Sequence, residues 1–471
     1  MDISRFDRES PIVVEPLRLD GVIRGVMVRS GDERIFVRDE ELDGESLTQL
    51  DGFTWAVWDV RRVFNIMDPR TNFVDVKTLT GGGNVSLIDR AREMLGADSI
   101  AELLEAEQRF AANNRAIKMT GTTGSTIETM PGHFWDRLLE LRCATILELA
   151  KRAPPDTLDS WWRRLEFIRA LHEVEQAGIR VDIDHVRASL ERQLDPGTMG
   201  CLRSMLNLEE NGFLTSLFNA AGTRTGRLKH EGGFNAMGIP HGEARRAIIS
   251  RHEGGSIYSF DYNAIDYRSI VSTIGGAFAE LYRGSSDFHT RTAQFVFDEV
   301  DDVRREAFKA ISYTHIYGGS IGTLVERTGL GEDILERVLK RLEGPLSPIA
   351  ELRERIWSMF QRDGYIDIPG GGRYERQDGE EMHPGKALAI YAQGYSAYVF
   401  ENAFLRVHGL LEDHGRGSCI IFPVHDELVV DMHPDDEREL VPEAIKAAME
   451  TGEGEDFVVN YRKGRSYGEL V

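Results

Sequence analysis

The sequence has little cysteine and no long apolar run. Its 471 residues include three cysteines, Cys143, Cys201 and Cys419, whose spacing predicts neither a metal site nor a disulfide framework. Buried thiols in a reducing cytosol are the expected state. The apolar stretches are too short to cross a bilayer, and the segment Met1–Asp7 lacks the layout of a signal peptide. We therefore expect a cytoplasmic protein without a membrane partner.

Positive charge is also scarce. Lysine and arginine total 56 against 78 aspartates and glutamates, which gives a formal net charge of −22. This surplus argues against general affinity for nucleic acid, but a focused cleft can stay positive inside an acidic protein. Two stretches are locally basic, Arg224–Lys229 and Arg304–Lys309. The charge balance predicts weak non-specific binding, strong salt sensitivity and reliance on a partner.

What is present is typical of a globular enzyme. Hydrophobic residues make up 41% and charged residues 28% of a chain long enough for two or more domains. Pro154 and Pro155 lie in a polar segment and predict a junction between domains.

Two adjacent acids lie between two β-prone runs near the C-terminus. Residues 419–424 and 428–432 are mostly apolar, and His425, Asp426 and Glu427 separate them. This pattern predicts a hairpin with a charged tip. Because paired carboxylates are costly without a cation, and because oxygen ligands suit hard metals, the tip indicates a Mg²⁺ site.

A further acid lies far upstream. Residues 256–260 read as a short strand that ends at Asp261, and a helix-compatible run begins at Asn263. Carboxylates from a strand end and a hairpin tip together can hold two metals, an arrangement suited to in-line phosphoryl transfer. Each acid taken alone is more typical of a solvated turn.

One predicted helix has cations and aromatic rings on a single face. Arg305, Lys309, Tyr313 and Tyr317 recur every four residues. Each such step drifts by about 40° and rises about 6 Å along an α-helix. Two cations followed by two rings match the phosphates and the base of a nucleoside triphosphate. The alternative is a half-exposed helix with a basic edge and a buried aromatic stripe.

These blocks, in this order, resemble the motifs of family A (bacterial polymerase I-like) DNA polymerases. The three main matches are Asp261–Arg268, Arg305–Gly318 and Val424–Leu428. Shorter elements of the family fall between or before them at Thr225–Leu228, Asp287–Thr290, Gly364–Arg373 and Gln393–Gly394. The resemblance covers roughly residues 160–471, and the ordered coincidence of the blocks makes it specific.

The resemblance implies an α+β multidomain fold. Residues 156–471 would form a right-hand polymerase, with a palm whose small antiparallel sheet carries Asp261 and Asp426. Helical fingers would occupy about 285–365, and a reduced thumb would occupy 183–222. Residues 1–155 would form a degenerate 3′→5′ exonuclease-like α/β domain, with strands near Trp55 and Phe73.

The resemblance also implies a role for each motif residue. Two Mg²⁺ ions, for which Mn²⁺ would substitute, would be held by Asp261, Asp426, the Tyr262 carbonyl and Glu427. The catalytic residues would be Asp261, Asp426 and Lys309. The nucleotide-binding residues would be Arg305, Lys309, His289, Tyr313, Tyr317 and Asp266. The DNA-binding residues would be Arg227, Gln393, His425 and Arg268.

The sequence departs from the family pattern at four places. Asp266 stands where the family usually has Glu, which predicts weaker discrimination against a ribose 2′-hydroxyl. Tyr313 stands where most bacterial members have Phe, which predicts efficient incorporation of dideoxynucleotides. Met237 and Gly238 replace residues that contact primer-template. Arg227 follows Asp182 by only 45 positions, so the thumb is short and low processivity is expected.

The N-terminal part lacks the expected acids of a proofreading site. Leu138 and Arg142 stand where the last exonuclease helix usually has Tyr and Asp. Asp7 and Glu9 resemble the first acidic pair, but too few residues precede them for a buried strand, so a polar tail is favoured. We expect no proofreading, since that reaction needs several carboxylates around two metals.

The predicted function is therefore template-directed DNA synthesis from a primer 3′-hydroxyl with dNTPs, without proofreading and with low processivity. The expected partners are primed DNA template and dNTPs, with a processivity factor, helicase or primase left open. Compact size and Tyr313 favour a bacteriophage source and thus the host cytoplasm. Two alternatives remain, a single-subunit polymerase with relaxed sugar selectivity and a non-catalytic accessory protein that binds primer-template.

Overall fold

The computed structural model divides the chain into two compact units, Met1–His172 and Glu173–Val471. The described residues are 12–19, 22–30, 33–38, 55–58, 73–75, 86–119, 132–152, 158–220, 222–283, 287–317, 319–377, 379–414, 416–439, 441–451 and 457–471. Pro154 and Pro155 lie outside them, so the junction at 155/156 stays a prediction.

The first unit is built on a five-stranded sheet. Its strands are β1 (Ile12–Leu19), β2 (Val22–Ser30), β3 (Glu33–Arg38), β4 (Trp55–Val57) and β5 (Phe73–Asp75). They are ordered β3-β2-β1-β4-β5, and β1 pairs antiparallel with β2 and parallel with β4. The two strands predicted near Trp55 and Phe73 are confirmed as β4 and β5.

Helices cover one face of this sheet. They are α1 (Leu87–Leu95), α2 (Ala101–Met119) and α3 (Gly132–Arg152). Leu139, Cys143 and Ile146 recur at helical spacing on α3 and belong to the same buried core as Val13 and Leu17 of β1. This spacing is why α3 packs with one apolar face toward the sheet.

A buried acid interrupts that apolar contact. Glu15 lies between Val13 and Leu17 on the same face of β1 and is 2% exposed. The Arg142 guanidinium of α3 binds its carboxylate at 2.6 Å and the Glu107 carboxylate of α2 at 2.5 Å. Asp7 and Glu9 lie outside the described residues, and Glu15 is the strand acid that the sequence analysis missed.

Helix α4 (Leu158–Ala177) contains the division between the units, and short elements follow it. These are β6 (Ile179–Arg180), α5 (Ile183–Leu190), α6 (Pro196–Leu208), β7 (Phe213–Leu214), β8 (Ser216–Asn219) and β9 (Lys229–Gly233). The side chains of Asp182 and Asp195 cap α5 and α6 by accepting backbone N–H groups. In the described part of 182–227 the helices have only 8 and 13 residues.

The remaining elements of the second unit form a sheet and a helical layer. In chain order they are α7 (Glu243–Arg246), β10 (Ser256–Tyr262), α8 (Ile265–Ile274), α9 (Gly276–Glu280), α10 (Phe288–Ala293), α11 (Asp302–Tyr317), α12 (Ile321–Thr328), α13 (Glu332–Glu343), α14 (Ser347–Asp363), β11 (Tyr365–Ile368), β12 (Gly372–Glu375), α15 (Pro384–His414), β13 (Cys419–Val424), β14 (Glu427–Met432), α16 (Pro434–Arg438), α17 (Val441–Glu450) and β15 (Val459–Gly464).

The sheet of the second unit is small and antiparallel. Its order is β13-β14-β10-β15, and the register places Asp261 of β10 opposite Glu427 of β14. The predicted hairpin is confirmed, because β13 and β14 pair and leave His425 and Asp426 as its turn. Both predicted metal acids therefore lie at one end of this sheet.

The helical layer has its own apolar core. Phe308 and Ile311 of α11, Ile356 of α14 and Leu388 of α15 belong to it, each at most 4% exposed. Helices α10–α14 fill the segment predicted to form helical fingers. Helix α15, which contributes Leu388 to this core, spans Pro384–His414.

Candidate functional site

The site begins with two acids that the backbone brings together. Asp261 lies near the end of β10, and the Tyr262 N–H donates to the Asp426 carbonyl at 3.3 Å. Ala264 and His425 flank these acids with positive φ angles of 53° and 57°. Among the described non-glycine residues, only Asn211 shares this left-handed conformation. Such strained positions recur at functional sites because the surrounding structure must hold them.

The two acids repel each other in the absence of a cation. Burial among protein atoms, then the charges of Asp426 and Glu427, raise the pKa of Asp261 to about 7, although its side chain is exposed to solvent. A solvent-accessible carboxylate with many protein atoms around it is expected on the floor of a cleft. Burial, followed by the charge of Asp266, also raises the pKa of Asp426. Closely placed carboxylate oxygens are the ligands that Mg²⁺ prefers, so the residues fit a divalent cation.

Glu427 is bound by neighbours inside the sheet. Its carboxylate oxygens accept hydrogen bonds from the Ser259 hydroxyl at 2.5 Å and the Tyr467 hydroxyl at 3.2 Å. With both oxygens engaged, Glu427 is placed to support the site, and its direct ligation of metal stays a prediction. Ser259 and Tyr467 were missed by the sequence analysis, because neither lies in a motif.

Asp266 is held by residues from two other elements. Arg227 forms an ion pair with its Oδ1 atom, and the Ser396 hydroxyl of α15 donates to the same atom at 2.7 Å. The Ser269 and Ser396 hydroxyls lie 3.1 Å apart. A pocket next to these groups is lined by Arg227, Ser396 and Asp426, among others. Ser396 is 2% exposed and was also missed, since an isolated serine within a helix carries no sequence signal.

The cationic face of α11 acts electrostatically on the acids of the sheet. Arg305 forms an ion pair with Asp287, while Lys309 is exposed. The charge of Lys309 acts on both Asp261 and His289, so its ammonium group lies near the acids. Asp261 and Lys309 are therefore within electrostatic reach of each other, and the catalytic role of Lys309 stays a prediction.

His289 lies beside this face. Asp287 caps α10 by accepting the His289 and Thr290 N–H groups at 3.0 and 3.3 Å. Burial lowers the pKa of His289 to about 4, so the imidazole is neutral near pH 7. Its Nδ1 atom is buried without a hydrogen-bond partner among the described residues. A buried ring nitrogen without a partner is a position where a ligand can supply the missing hydrogen bond.

Of the two aromatic residues on this face of α11, the structure describes the side chain of Tyr313. The half-buried Tyr313 ring lies 5.7 Å from the Tyr267 and His289 rings. Burial, then the charges of Asp266 and Asp426, raise the pKa of the Tyr313 phenol, which therefore keeps its proton near neutral pH. The side chain of Tyr317 lies outside the described residues, and its role stays a prediction.

The predicted DNA contacts differ in accessibility. Arg227 is about one-third exposed, Gln393 is half-buried one turn before Ser396, and His425 is exposed in the hairpin turn. Arg268 is 2% exposed, and its Nε–H donates to the Asn263 carbonyl at 2.7 Å. Its expected contact with DNA is corrected accordingly, because a guanidinium buried behind the β10–α8 connection braces that connection.

A separate cluster of possible metal ligands lies on α4 and α15. Among the described residues, Glu173, His408 and Glu412 are grouped closely enough to share an ion. However, each His408 nitrogen faces a different carboxylate, Glu173 at 3.1 Å and Glu412 at 3.5 Å. Each nitrogen of His408 is thus engaged by its own carboxylate, and none of the predicted site residues belongs to this cluster.

The chain is similar to known proteins over its second unit and in its fold. The model of DNA polymerase family A matches residues 191–469. DNA polymerase I of Chloroflexus aurantiacus is 26% identical over 254 residues, which cover 50% of this chain and 27% of that protein. The DNA polymerase of Mycobacterium phage D29 is 24% identical over 220 residues, which cover 45% of this chain and 35% of that protein. The chain thus matches about a third or less of the length of these curated relatives.

A solved structure supports the fold. The POL domain of Pol1 from M. smegmatis, in complex with DNA primer-template and dNTP, is 18% identical with a TM-score of 0.72. The alignment covers 97% of this chain and 95% of that chain. This likeness confirms the α+β right-hand fold predicted from the sequence. In the described part of the chain, no helix is long and apolar enough to span a membrane.

Proposed function

Because the chain belongs to DNA polymerase family A, we propose that it is a template-directed DNA polymerase that extends a primer 3′-hydroxyl with dNTPs. The observation that carries this proposal is the placement of Asp261 and Asp426 at one end of a sheet, within electrostatic reach of Lys309. An accessory protein has no chemical need for acids that repel each other beside a cationic helix. Primed template and dNTPs are the proposed substrates.

In this proposal Asp261 and Asp426 hold two Mg²⁺ ions, for which Mn²⁺ substitutes, with the Tyr262 carbonyl and Glu427 in support. The bound ions supply charge stabilisation to the attacking and leaving oxygens. Lys309 binds the triphosphate and donates a proton to the leaving group. Arg305 exchanges its Asp287 contact for a phosphate, and the neutral His289 donates a hydrogen bond to another.

The remaining residues select and align the substrates. The proposed contacts are Tyr317 with the nascent base pair, Tyr313 and Asp266 with the sugar, and Arg227, Gln393 and His425 with primer-template.

We further propose that the enzyme does not proofread, since the buried Glu15 is paired with the Arg142 guanidinium, which also binds Glu107. Low processivity, relaxed sugar selectivity and a phage source complete the proposal.

Primer extension tests the proposed function. A 5′-labelled primer on a template, with Mg²⁺ and dNTPs, should be extended by wild type and by Asp413→Asn, an exposed acid near the end of α15. Asp426→Asn should abolish extension while retaining primer-template affinity. If wild type binds primer-template but never extends it, the protein is instead a non-catalytic accessory protein that binds primer-template.

A further inference from the structure

A polar network binds the loop between β8 and β9 to the β11–β12 hairpin. The Arg224 guanidinium donates to the Tyr374 hydroxyl at 2.6 Å and to the Glu380 carboxylate at 3.1 Å. It also donates to the Glu375 carbonyl and lies 3.8 Å from the centre of the Tyr374 ring. One side chain thus ties the loop to the hairpin and to the segment after it.

Glu380 is the centre of this network. Its carboxylate accepts hydrogen bonds from the Tyr374 hydroxyl at 2.7 Å, Lys386 at 3.0 Å and the Gln377 N–H at 3.3 Å, in addition to Arg224. Burial raises the pKa of Glu380, but these hydrogen bonds lower it to about 2. The carboxylate is 11% exposed and stays ionised, so the network persists over the whole neutral range. Charge-assisted bonds in this number hold a side chain firmly.

The same loop presents Arg227 to the pocket. Residues 223–226 form a turn in which the Gly226 N–H donates to the Thr223 carbonyl at 3.2 Å. Gly226 has a φ of +79°, and the Thr223 hydroxyl donates to the Arg227 carbonyl at 2.9 Å. Arg224 and Arg227 therefore leave one rigid turn toward different elements, the hairpin and α8. Displacement of Arg224 would move Arg227.

We propose that Arg224 is a positioning residue that fixes the turn and thereby holds Arg227 ready for the minor groove of primer-template. This inference rests on the proposed function. Arg224 itself does not contact DNA, because its guanidinium is already engaged by the hairpin and Glu380. It acts on DNA affinity only through Arg227.

A double-mutant cycle on primer-template affinity tests the proposal. Arg224→Met and Arg227→Met should each weaken binding by about fivefold, whereas the double variant should be no more than about twofold weaker than Arg227→Met alone. Arg337→Met removes a charge from an exposed ion pair with Asp333 and should leave affinity unchanged. Effects that multiply in the double variant would overturn the proposal.

Salt dependence provides a readout that loss of stability would not move. Each phosphate contact contributes about −0.9 to the slope of log affinity against log salt. Arg224→Met should leave this slope unchanged, whereas a slope reduced by about one would mean that Arg224 binds phosphate directly. Glu380→Gln should weaken binding like Arg224→Met. If it tightens binding instead, Glu380 competes with DNA for Arg224 and the proposal is wrong.

The wild-type protein separates this inference from the proposed function. Wild type that neither binds nor extends primer-template contradicts both. Wild type that extends a primer, together with an Arg224→Met variant of equal affinity, contradicts only the positioning role. In the free proteins, amide hydrogen exchange at residues 222–228 should be faster in Arg224→Met than in wild type and unchanged in Arg337→Met. Equal exchange at these residues in Arg224→Met and wild type would also contradict the positioning role.

Discussion

At the scale of single residues, Asp266 and Ser396 form a matched pair. The Ser396 hydroxyl lies beside the Asp266 carboxylate at 2.7 Å, and Ser396 lines the same pocket as Asp426. Replacing Asp266 by Glu adds one methylene group, and replacing Ser396 by Ala removes one hydroxyl oxygen. The two replacements together therefore approximately conserve the side-chain volume at this contact.

We predict that the pair sets sugar selectivity. Asp266→Glu combined with Ser396→Ala should increase discrimination for dNTPs over rNTPs by about tenfold or more, because the longer acid blocks a 2′-hydroxyl. Competitive incorporation of dNTP and rNTP measures this ratio. Ser396→Ala alone is the control for the lost hydroxyl. Wild type that already rejects rNTPs completely would refute the prediction.

Tyr313 offers a second residue-scale test. Its phenol is protonated near neutral pH and can donate a hydrogen bond that a dideoxynucleotide cannot supply. Tyr313→Phe should lower the efficiency of dideoxynucleotide incorporation about tenfold relative to dNTPs, the value of one hydrogen bond. Chain-termination assays measure this ratio. Tyr391→Phe, which removes another half-buried hydroxyl, bonded to Thr273, should have no such effect.

Asp261 predicts a pH-dependent stability in the absence of metal. Its pKa is about 7 when folded and about 3.9 when unfolded, so the folded state binds the extra proton between these values. The stabilising contribution is complete below about pH 4 and is lost as pH rises through 7. Because the side chain is more than a third exposed, solvent screening reduces the effect to on the order of 1 kcal/mol.

Thermal unfolding in EDTA from pH 5 to 8 measures this contribution. The melting temperature of Asp261→Asn should rise relative to wild type as pH increases. Adding Mg²⁺ at pH 8 should then raise the melting temperature of wild type more than that of the variant. Parallel pH curves for the two proteins would show that the carboxyl titrates normally.

At the scale of elements, the contact between β1 and α3 contains a buried arginine that pairs with two carboxylates. Burial alone lowers the pKa of the Arg142 guanidinium, but the carboxylates of Glu15 and Glu107 hold it above its ordinary value. Arg142 thus supplies, inside the first unit, the positive charge that a buried acid requires.

Removing this charge should destabilise the first unit. Arg142→Met leaves Glu15 buried and uncompensated, at a cost of about 3–5 kcal/mol. Arg137→Met, whose partners Glu102 and Glu140 form an exposed network, should cost about 1 kcal/mol or less. Denaturant unfolding followed by the fluorescence of the buried Trp55 and Trp58 compares the variants. Equal midpoints for the two variants would contradict this account.

The elements that carry the site were predictable from sequence because their patterns are local. Short β-prone runs identified β10 and the β13–β14 hairpin, and four-residue spacing identified α11. The partners of Asp266 and Glu427 were not predictable, since Ser396, Ser259 and Tyr467 are common residue types that converge only after folding. The Arg224–Glu380 network joins residues 156 positions apart, and no local pattern encodes such a contact.

At the scale of the whole molecule, charge and the size of the thumb act in the same direction. The net charge of −22 repels the phosphate backbone outside the cleft. Between Asp182 and Arg227, in the segment predicted to form a reduced thumb, the described helices α5 and α6 have 8 and 13 residues. Fewer phosphate contacts imply faster dissociation from DNA.

We therefore predict low intrinsic processivity. Primer extension with excess trap DNA, which captures the enzyme after one dissociation, should yield short products that shorten further as salt increases. Because Asp184 is 97% exposed on α5, Asp184→Lys adds positive charge to this segment without disturbing a buried group and should lengthen the products. Asp333→Lys is the matched exposed change on α13 and should leave product length unchanged. Long products from wild type without any partner would show that other surfaces hold the duplex.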